Sequence, residues 1–323
     1  MKVIVIGLGS MGKRRIRLMR QMDSDIEIIG VDSRKDRREE LADSFGIKTY
    51  DTLDEAVVEG VDCAFVCTSP LSHSNIISGC LNYGLHTFTE INLVSDKYEE
   101  NMALAEEKKR VLFLSSTFLY RKEIQYIEDA VNHAHSLLTY SYHVGQYLPD
   151  WHPWEKYTDY FISDNRTNGC RELMAIEFPW IHQVFGEIVD IHVRKGRKTG
   201  LNINYSDSYV LSVEHKNGTQ GTIMLDVVSR KAVRNLEIFG EDLYLSWDGS
   251  ANGLRKYNFE DRREETVQLY EKVNRQSGYA EYIVENAYLD EIKAFFEEIH
   301  NGKKARYGFR EDRYTLALID KVE

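Results

Sequence analysis

Cysteine is scarce in this sequence, four residues in 323, and no two of them are spaced as C-x-x-C. Cys63, Cys67, Cys80 and Cys170 also lack an accompanying histidine pattern, so no metal site is expected. Cys63 and Cys67 fall in an apolar run, where cysteine acts as a small hydrophobe. Long hydrophobic stretches are missing too. None approaches the roughly 20 residues that span a bilayer, so no membrane partner is expected. Met1 runs almost directly into Val3-Ile4-Val5-Ile6, with one lysine and no small-residue cleavage site, which reads as a cytoplasmic chain without a secretion signal. Basic charge is in deficit: 41 Lys and Arg against 52 Asp and Glu give a net −11. That balance argues against a nucleic-acid partner, which needs a basic patch. The short run Lys13-Arg14-Arg15-Ile16-Arg17 is the local exception; it reads as a solvated helix face, with an accessory contact to a cofactor phosphate as the sharper alternative. No internal repeat or low-complexity linker divides the chain.

What is present is globular in character, 42% hydrophobic and 29% charged. The first part alternates apolar strands (Lys2–Ile6, Ile26–Val31, Lys48–Tyr50, Cys63–Cys67, His86–Thr89, Val111–Ser115) with helical segments (Gly12–Met22, Arg34–Phe45, Leu53–Glu59, Ser72–Tyr83, Ser95–Lys109). Strands separated by helices predict a parallel sheet with right-handed crossovers. After about Leu119 the pattern changes. A helix over Arg121–Ala134 and a strand over Leu138–Val144 lead into an aromatic stretch, Gln146–Phe161, with Trp151, His152 and Trp154. A helix around Glu172–Phe185 follows. Strands then dominate, over 189–193, 209–215, 219–228, 235–239 and 244–247, with Asn217-Gly218 as a hairpin turn. Two helices close the chain, near 282–300 and 311–322. The fold class expected is an α/β Rossmann domain over 1–119 plus an α+β domain with a mostly antiparallel open sheet over 120–323. The second domain is expected to carry substrate binding and oligomerisation, and the closing helices are able to pack back on the first.

The chemistry-bearing motif is Gly7-Leu8-Gly9-Ser10-Met11-Gly12. The spacing G-x-G-x-x-G follows an apolar strand and opens a helix, which is the context the motif needs. Gly7 permits the tight turn, Gly9 lets a pyrophosphate approach the backbone, and Gly12 lets helix and strand pack closely. The helix N-terminus adds amide donors and partial positive charge. Asp32, twenty residues beyond Gly12, sits where a carboxylate accepts the adenosine ribose hydroxyls and repels a 2′-phosphate. NAD is therefore expected rather than NADP, with Ser33 and Arg34 able to soften the preference.

With these residues the chain resembles the Gfo/Idh/MocA oxidoreductases, over essentially its whole length. Cys67-Thr68-Ser69-Pro70-Leu71-Ser72-His73 is similar to a family segment near the nicotinamide, which implies cofactor contacts from Thr68, Ser69, Pro70 and His73. Tyr288–Phe295 resembles the family's C-terminal helix, and Gln146–Pro153 a segment of members acting on amino sugars and nucleotide sugars. The resemblance breaks at two places. The family carries Glu-Lys-Pro after the fifth strand, its lysine moving the substrate proton. Here Glu90-Ile91-Asn92 stand instead, with Glu90 and Asn92 still expected at the cofactor. The family also places Asp and His four apart, with a second Asp three later; here Glu172, Ile176 and Pro179 occupy those positions. A one-residue shift of the match would bring in Glu177.

Oxidising a secondary alcohol needs a base for the hydroxyl proton. Glu172, Glu177 and His152 are the catalytic candidates. Tyr120, Arg121, Trp151 and Lys156 are the substrate-binding ones, with Tyr120 and Lys156 also able to move a proton if the fold turns them inward. Each has a structural alternative, His152 as a packed loop residue and Arg121 as helix-surface charge. Three functions are weighed. The first is an NAD-dependent oxidoreductase on a sugar, amino sugar or nucleotide sugar. The second is a non-catalytic NAD-binding sugar sensor, which the missing lysine and histidine favour. The third is an enzyme that oxidises its substrate only transiently. A homodimer or homotetramer through the open sheet face is expected.

Overall fold

The structure is a computed structural model that describes residues 1–152, 155–276 and 282–323. The chain divides into two compact units. One comprises Met1–Thr117 with Tyr288–Leu316, the other Phe118–Ala287 with Ala317–Glu323.

In the first unit, β1 (Lys2–Ile6), α1 (Ser10–Met22), β2 (Glu27–Val31), α2 (Lys35–Phe45), β3 (Lys48–Tyr50), α3 (Leu53–Val57), β4 (Cys63–Val66), α4 (Pro70–Asn82), β5 (His86–Thr89), α5 (Tyr98–Lys108) and β6 (Leu112–Leu114) alternate along the chain. All six strands are parallel, in the order β3-β2-β1-β4-β5-β6. The order reverses beside β1, and dinucleotides bind at the C-terminal strand ends of such a switch point. Central strands covered on both faces must be apolar throughout, as β4 is at Cys63-Ala64-Phe65-Val66, all buried. Phe65 stacks on Phe88 at 4.6 Å and Phe88 on Phe113 at 5.2 Å, one ring per strand across β4, β5 and β6. Phe295, from a later helix, packs against all three rings at 5.3 to 5.7 Å.

The second unit begins with α6 (Lys122–His133), β7 (Thr139–Gly145) and α7 (Gly169–Phe185). It continues with β8 (Ile188–Gly196), β9 (Ser208–His215), β10 (Gln220–Asp226), β11 (Val233–Phe239), β12 (Tyr244–Trp247), β13 (Arg255–Asn258) and β14 (Arg263–Thr266). The helices α8 (Glu285–Asn301) and α9 (Phe309–Val322) follow. Among the described residues the second sheet has the order β14-β13-β12-β11-β7-β10-β9-β8. Every pair is antiparallel except β7 with β10. Strand alternation gives it one buried face: Tyr209, Leu211 and Val213 of β9 point inward while Val210, Ser212 and Glu214 point out. The inner face packs on α7, with Tyr140 stacked on Phe185 at 4.2 Å and Trp180 edge-on to Tyr142 at 5.2 Å.

The Rossmann-type and mostly antiparallel sheets match the expected fold class. Sequence reading missed the hairpin of β13 and β14. Its residues, Arg-Lys-Tyr-Asn and Arg-Glu-Glu-Thr, bury almost nothing and so carry no alternation of polarity. Asn217-Gly218 does turn β9 into β10, Gly218 taking φ +86°. The helix read from Glu172 starts three residues earlier, at Gly169, because the Asn168 side chain caps it by accepting from the Arg171 N–H at 2.9 Å.

Candidate cofactor cradle and substrate cavity

The glycine turn lies between β1 and α1, where three glycines do three different things. Gly7 has φ +92°, and a Cβ there would fall 2.6 Å from the Cys67 carbonyl oxygen. A Cβ on Gly12 would meet the Gly7 carbonyl oxygen at 2.0 Å, so the helix could not approach the turn. A Cβ on Gly9 would meet no protein atom nearer than the Arg37 guanidinium at 3.5 Å. Gly9 is thus small for a reason outside the protein's own packing. It is also the N-cap of α1 and, as glycine, offers the helix end no side-chain cap. A helix start left open beside a bare backbone is the shape a pyrophosphate needs.

Asp32 follows β2 and is mostly buried. Its Oδ2 accepts from the Leu8 N–H at 2.8 Å and its Oδ1 from the Arg34 N–H at 2.9 Å, tying the carboxylate to the glycine turn. Arg37 lies 3.5 Å from Oδ2, and Arg38 donates to the Asp32 and Ser33 carbonyls at 2.7 and 3.0 Å. Arg34 is exposed and pairs with Asp36. The residues present fit a dinucleotide with its ribose at Asp32. Arg37, which the sequence did not single out, also lies beside Asp32 and Gly9.

Thr68, Ser69 and Pro70 form the turn into α4, with Pro70 opening the helix. His73 is buried and braces that turn from behind: Nε2 is 2.9 Å from the Thr68 carbonyl, and Nδ1 is 2.8 Å from the Asn92 side-chain amide. Burial lowers its pKa, so the ring is neutral. Glu90 takes part in a buried cluster. Its oxygens accept from Arg15 Nε at 2.6 Å and Nη2 at 3.0 Å. The same guanidinium reaches Glu291 at 2.7 Å, and Glu291 in turn accepts from the Ser116 N–H at 2.7 Å. Burial opposes charge on Arg15, yet the two carboxylates hold its pKa above the ordinary value. The side chains of His73 and Glu90 therefore organise the walls near the cradle.

In the second unit a cavity of about 210 Å³ opens beside α7. Glu172 and Ile176, one helical turn apart, share the face of α7 that lines it, and Trp151 and His152 contribute from the aromatic stretch. None of the described residues hydrogen-bonds or pairs with the Glu172 carboxylate. Burial pushes its pKa up to about 7. His152 stacks on Tyr160 at 4.6 Å, with Nδ1 2.9 Å from Glu155. Trp151 Nε1 donates to the Gln146 carbonyl at 2.9 Å. Trp154 lies outside the described residues.

Other candidates lie elsewhere. Glu177 is fully buried, accepting from Tyr142 and Trp180 at 2.6 Å each and pairing with Arg234 at 2.8 Å. Arg121 is buried and committed to Glu123, the Tyr282 carbonyl and the Gly249 carbonyl at 2.8 to 3.1 Å. Tyr120 ends a 3-10 turn, Lys156 is exposed, and neither lines the cavity. Three polar lining residues went unnamed as candidates: Gln146, Arg234 and Tyr282. Arg234 leaves one trace in the sequence. It sits between Val233 and Leu236 at the inward parity of β11, where an arginine is out of place in a simple core.

Known proteins resemble this chain in sequence and in fold. Residues 1–116 match the Gfo/Idh/MocA family model, described as an oxidoreductase family with an NAD-binding Rossmann fold. Myo-inositol 2-dehydrogenase of Thermotoga maritima is 25% identical over 336 aligned positions, spanning 98% of this chain and 94% of that protein. Among solved structures, UDP-N-acetylglucosamine 3-dehydrogenase from Acidithiobacillus ferrooxidans superposes with a TM-score of 0.77 at 19% identity, covering 100% of this chain and 96% of that one. Levoglucosan dehydrogenase in complex with NADH gives 0.81 at 14% identity, covering 100% and 95%. Both structures share the fold.

Proposed function

We propose, on the match of residues 1–116 to the Gfo/Idh/MocA oxidoreductase family model, that this protein is an NAD-dependent oxidoreductase that transfers hydride at a secondary alcohol of a sugar, amino sugar or nucleotide sugar. The backbone of Gly7 to Gly12 would hold the dinucleotide and Asp32 would accept its ribose hydroxyls; a carboxylate there favours NAD over NADP. Nicotinamide, when bound, supplies the hydride acceptor. The observation that carries the reading is Glu172, a carboxylate in a cavity wall with no hydrogen-bond or ion-pair partner among the described residues, whose pKa is raised by burial to about 7. A group that titrates near working pH is suited to take the hydroxyl proton in oxidation and return it in reduction. It would serve in place of the family lysine, since residues 90–92 are Glu-Ile-Asn. The named activities of the relatives, on inositol and on the 3-position of a nucleotide sugar, support a ring alcohol as substrate.

The test is absorbance of reduced nicotinamide on the purified protein with NAD and a panel of sugars, polyols and nucleotide sugars. Turnover with one of them, lost in Glu172→Gln while NAD still binds, is the expected result. NAD binding without any redox change across the panel moves the sensor ahead. No NAD binding removes the premise.

A further inference from the structure

Resting on the reading that the cradle takes NAD, we propose that Asn92 is a positioning residue for the nicotinamide half of the cofactor: its amide NH2 fixes His73 as the Nε2–H tautomer, and that proton on the Thr68 carbonyl holds the turn between β4 and α4. Sheet order puts β2, with Asp32, on one side of β1 and β4 on the other. A dinucleotide with its adenosine ribose at Asp32 and its pyrophosphate at the glycine turn therefore runs on toward β4. The turn after β4 abuts the glycine motif, since a Cβ on Gly7 would fall 2.8 Å from the Thr68 nitrogen. Behind that turn, His73 on α4 and Asn92 after β5 are each 2% exposed. His73 Nε2 lies 2.9 Å from the Thr68 carbonyl oxygen, and Nδ1 lies 2.8 Å from the Asn92 amide. Thr89 Oγ1 is 3.3 Å from Nδ1 and donates its own hydrogen to the Glu90 carbonyl at 3.2 Å.

The tautomer follows from the partners. A carbonyl oxygen only accepts, so Nε2 must carry a proton to meet Thr68. Burial keeps the ring neutral, which leaves Nδ1 a bare acceptor. The anion that acts on the ring, Glu90 after β5, is already held by Arg15 of α1, and burial keeps the Cys67 thiol of β4 protonated. The Asn92 atom facing Nδ1 must then be the nitrogen. Amide oxygen and nitrogen have the same shape and are assigned by their partners. With the oxygen toward the ring, the amide nitrogen is buried with no hydrogen-bond partner among the described residues. The ring would also need a second proton to satisfy both neighbours. The Tyr98 hydroxyl senses the amide from outside hydrogen-bond distance and gives its own hydrogen to Asp312 at 2.5 Å. The gap beyond Asn92, lined by Ser74, Tyr98 and Asn101, is too narrow for a water to stand in. A buried N–H without a partner is the costlier orphan of the two, so the nitrogen faces His73. The relay then has one direction: Asn92 N–H to Nδ1, Nε2–H to the Thr68 carbonyl. Thr68 is tied on its side chain as well, Oγ1 accepting from Ser72 at 2.8 Å. The turn cannot reorient without breaking the relay.

Two measurements on the full chain test this. The first is ring-nitrogen NMR of histidine-labelled protein, with the His73 signals identified by their absence from His73→Phe. At pH 7 to 8, Nε2 is expected to carry a proton and Nδ1 to be a bare acceptor. Asn92→Asp sets an acceptor-only group against Nδ1 and is expected to make both nitrogens N–H at the same pH. Two ring protons in the parent protein, or a proton on Nδ1 alone, overturn the assignment. The second is titration calorimetry with NAD and with ADP-ribose, which lacks the nicotinamide. Asn92→Leu keeps the volume and loses the bond. It is expected to weaken NAD about tenfold, the scale of one buried hydrogen bond, and ADP-ribose by less than about threefold, because Asp32 and the glycine turn are untouched. Asn92→Asp keeps Nε2–H on Thr68 and is expected to bind NAD within about threefold of the parent. If Asn92→Leu does not melt cooperatively, Asn92→Ser, too short to reach the ring, replaces it with the same expectations. Equal weakening of both ligands in a cooperatively melting variant shows a general structural role and overturns the proposal, as does an unchanged NAD affinity. Failure of the parent protein to bind NAD removes the cofactor reading instead, a result the NMR measurement does not depend on.

Discussion

Gly9 and Gly12 separate two roles that one motif combines. A methyl on Gly9 meets only the end of a flexible arginine, so Gly9→Ala should leave the thermal melt nearly unchanged while weakening NAD binding tenfold or more, read by fluorescence titration. A methyl on Gly12 would overlap the Gly7 carbonyl, so Gly12→Ala should cost stability as well, on the order of 2–3 kcal/mol in urea denaturation. Glu172 makes a different kind of prediction. Its folded pKa of about 7 lies above the ordinary 4.5, so the native state holds the proton more tightly than the unfolded chain does. The resulting stability is present below about pH 4.5 and is lost as pH rises through 7, by on the order of 2–3 kcal/mol. Glu172→Gln should therefore flatten the melting temperature between pH 5 and 8 and be the more stable protein at pH 8. Oxidation by the parent protein, which needs the carboxylate, should rise with pH through about 7. A flat rate profile would remove Glu172 as the base.

At the scale of elements, Arg15 is the tie that needs explaining. It is fully buried on α1, between Glu90 after β5 and Glu291 on α8, and its guanidinium lies over the Phe88 ring at 4.6 Å. The basic run around it reads in sequence as a solvated helix face, and for Arg14 and Arg15 that expectation was wrong: both are buried in the structure. Removing it in Arg15→Met leaves two buried carboxylates without their cation. A loss of about 3–5 kcal/mol is expected in urea denaturation, the usual result of breaking a buried pair from one side. The β13 and β14 hairpin is the opposite case. With exposed side chains throughout β14, its amides should exchange with solvent at least about a hundredfold faster than those of β7 and β10, measured by hydrogen exchange.

For the whole molecule, the discontinuity of the first unit matters most. Its core includes Phe295, which touches Phe65, Phe88 and Phe113, and Asp312, which accepts from Tyr98 at 2.5 Å and Tyr307 at 2.9 Å. A chain ending at Ala287 keeps the glycine motif intact yet lacks these groups and Glu291. It is expected to lose NAD binding and cooperative melting, although every cradle residue is present. Retained NAD affinity in that truncated chain would show that residues 1–117 carry the cradle without the later helices.

Most of the first unit could be read directly, because parallel strands and crossover helices leave strong periodicities and the glycine spacing needs its strand and helix in sequence order. Asp32 and the turn from Gly7 to Gly12 are local in that sense, as is the hairpin at Asn217-Gly218. The second unit's cavity is a different matter. Glu172 could be placed only through a motif whose histidine position holds Ile176, and Arg234 and Tyr282 lie far from it along the chain. What brings Glu172 and Arg234 to one cavity is the packing of α7 against the second sheet, a long-range event with no periodic signature. The charge state of that cavity is tertiary as well. Glu177 and Glu172 are both carboxylates on one helix, and only the fold sets Glu177 against Arg234, Tyr142 and Trp180 while burying Glu172 with no partner among the described residues, which raises its pKa to about 7.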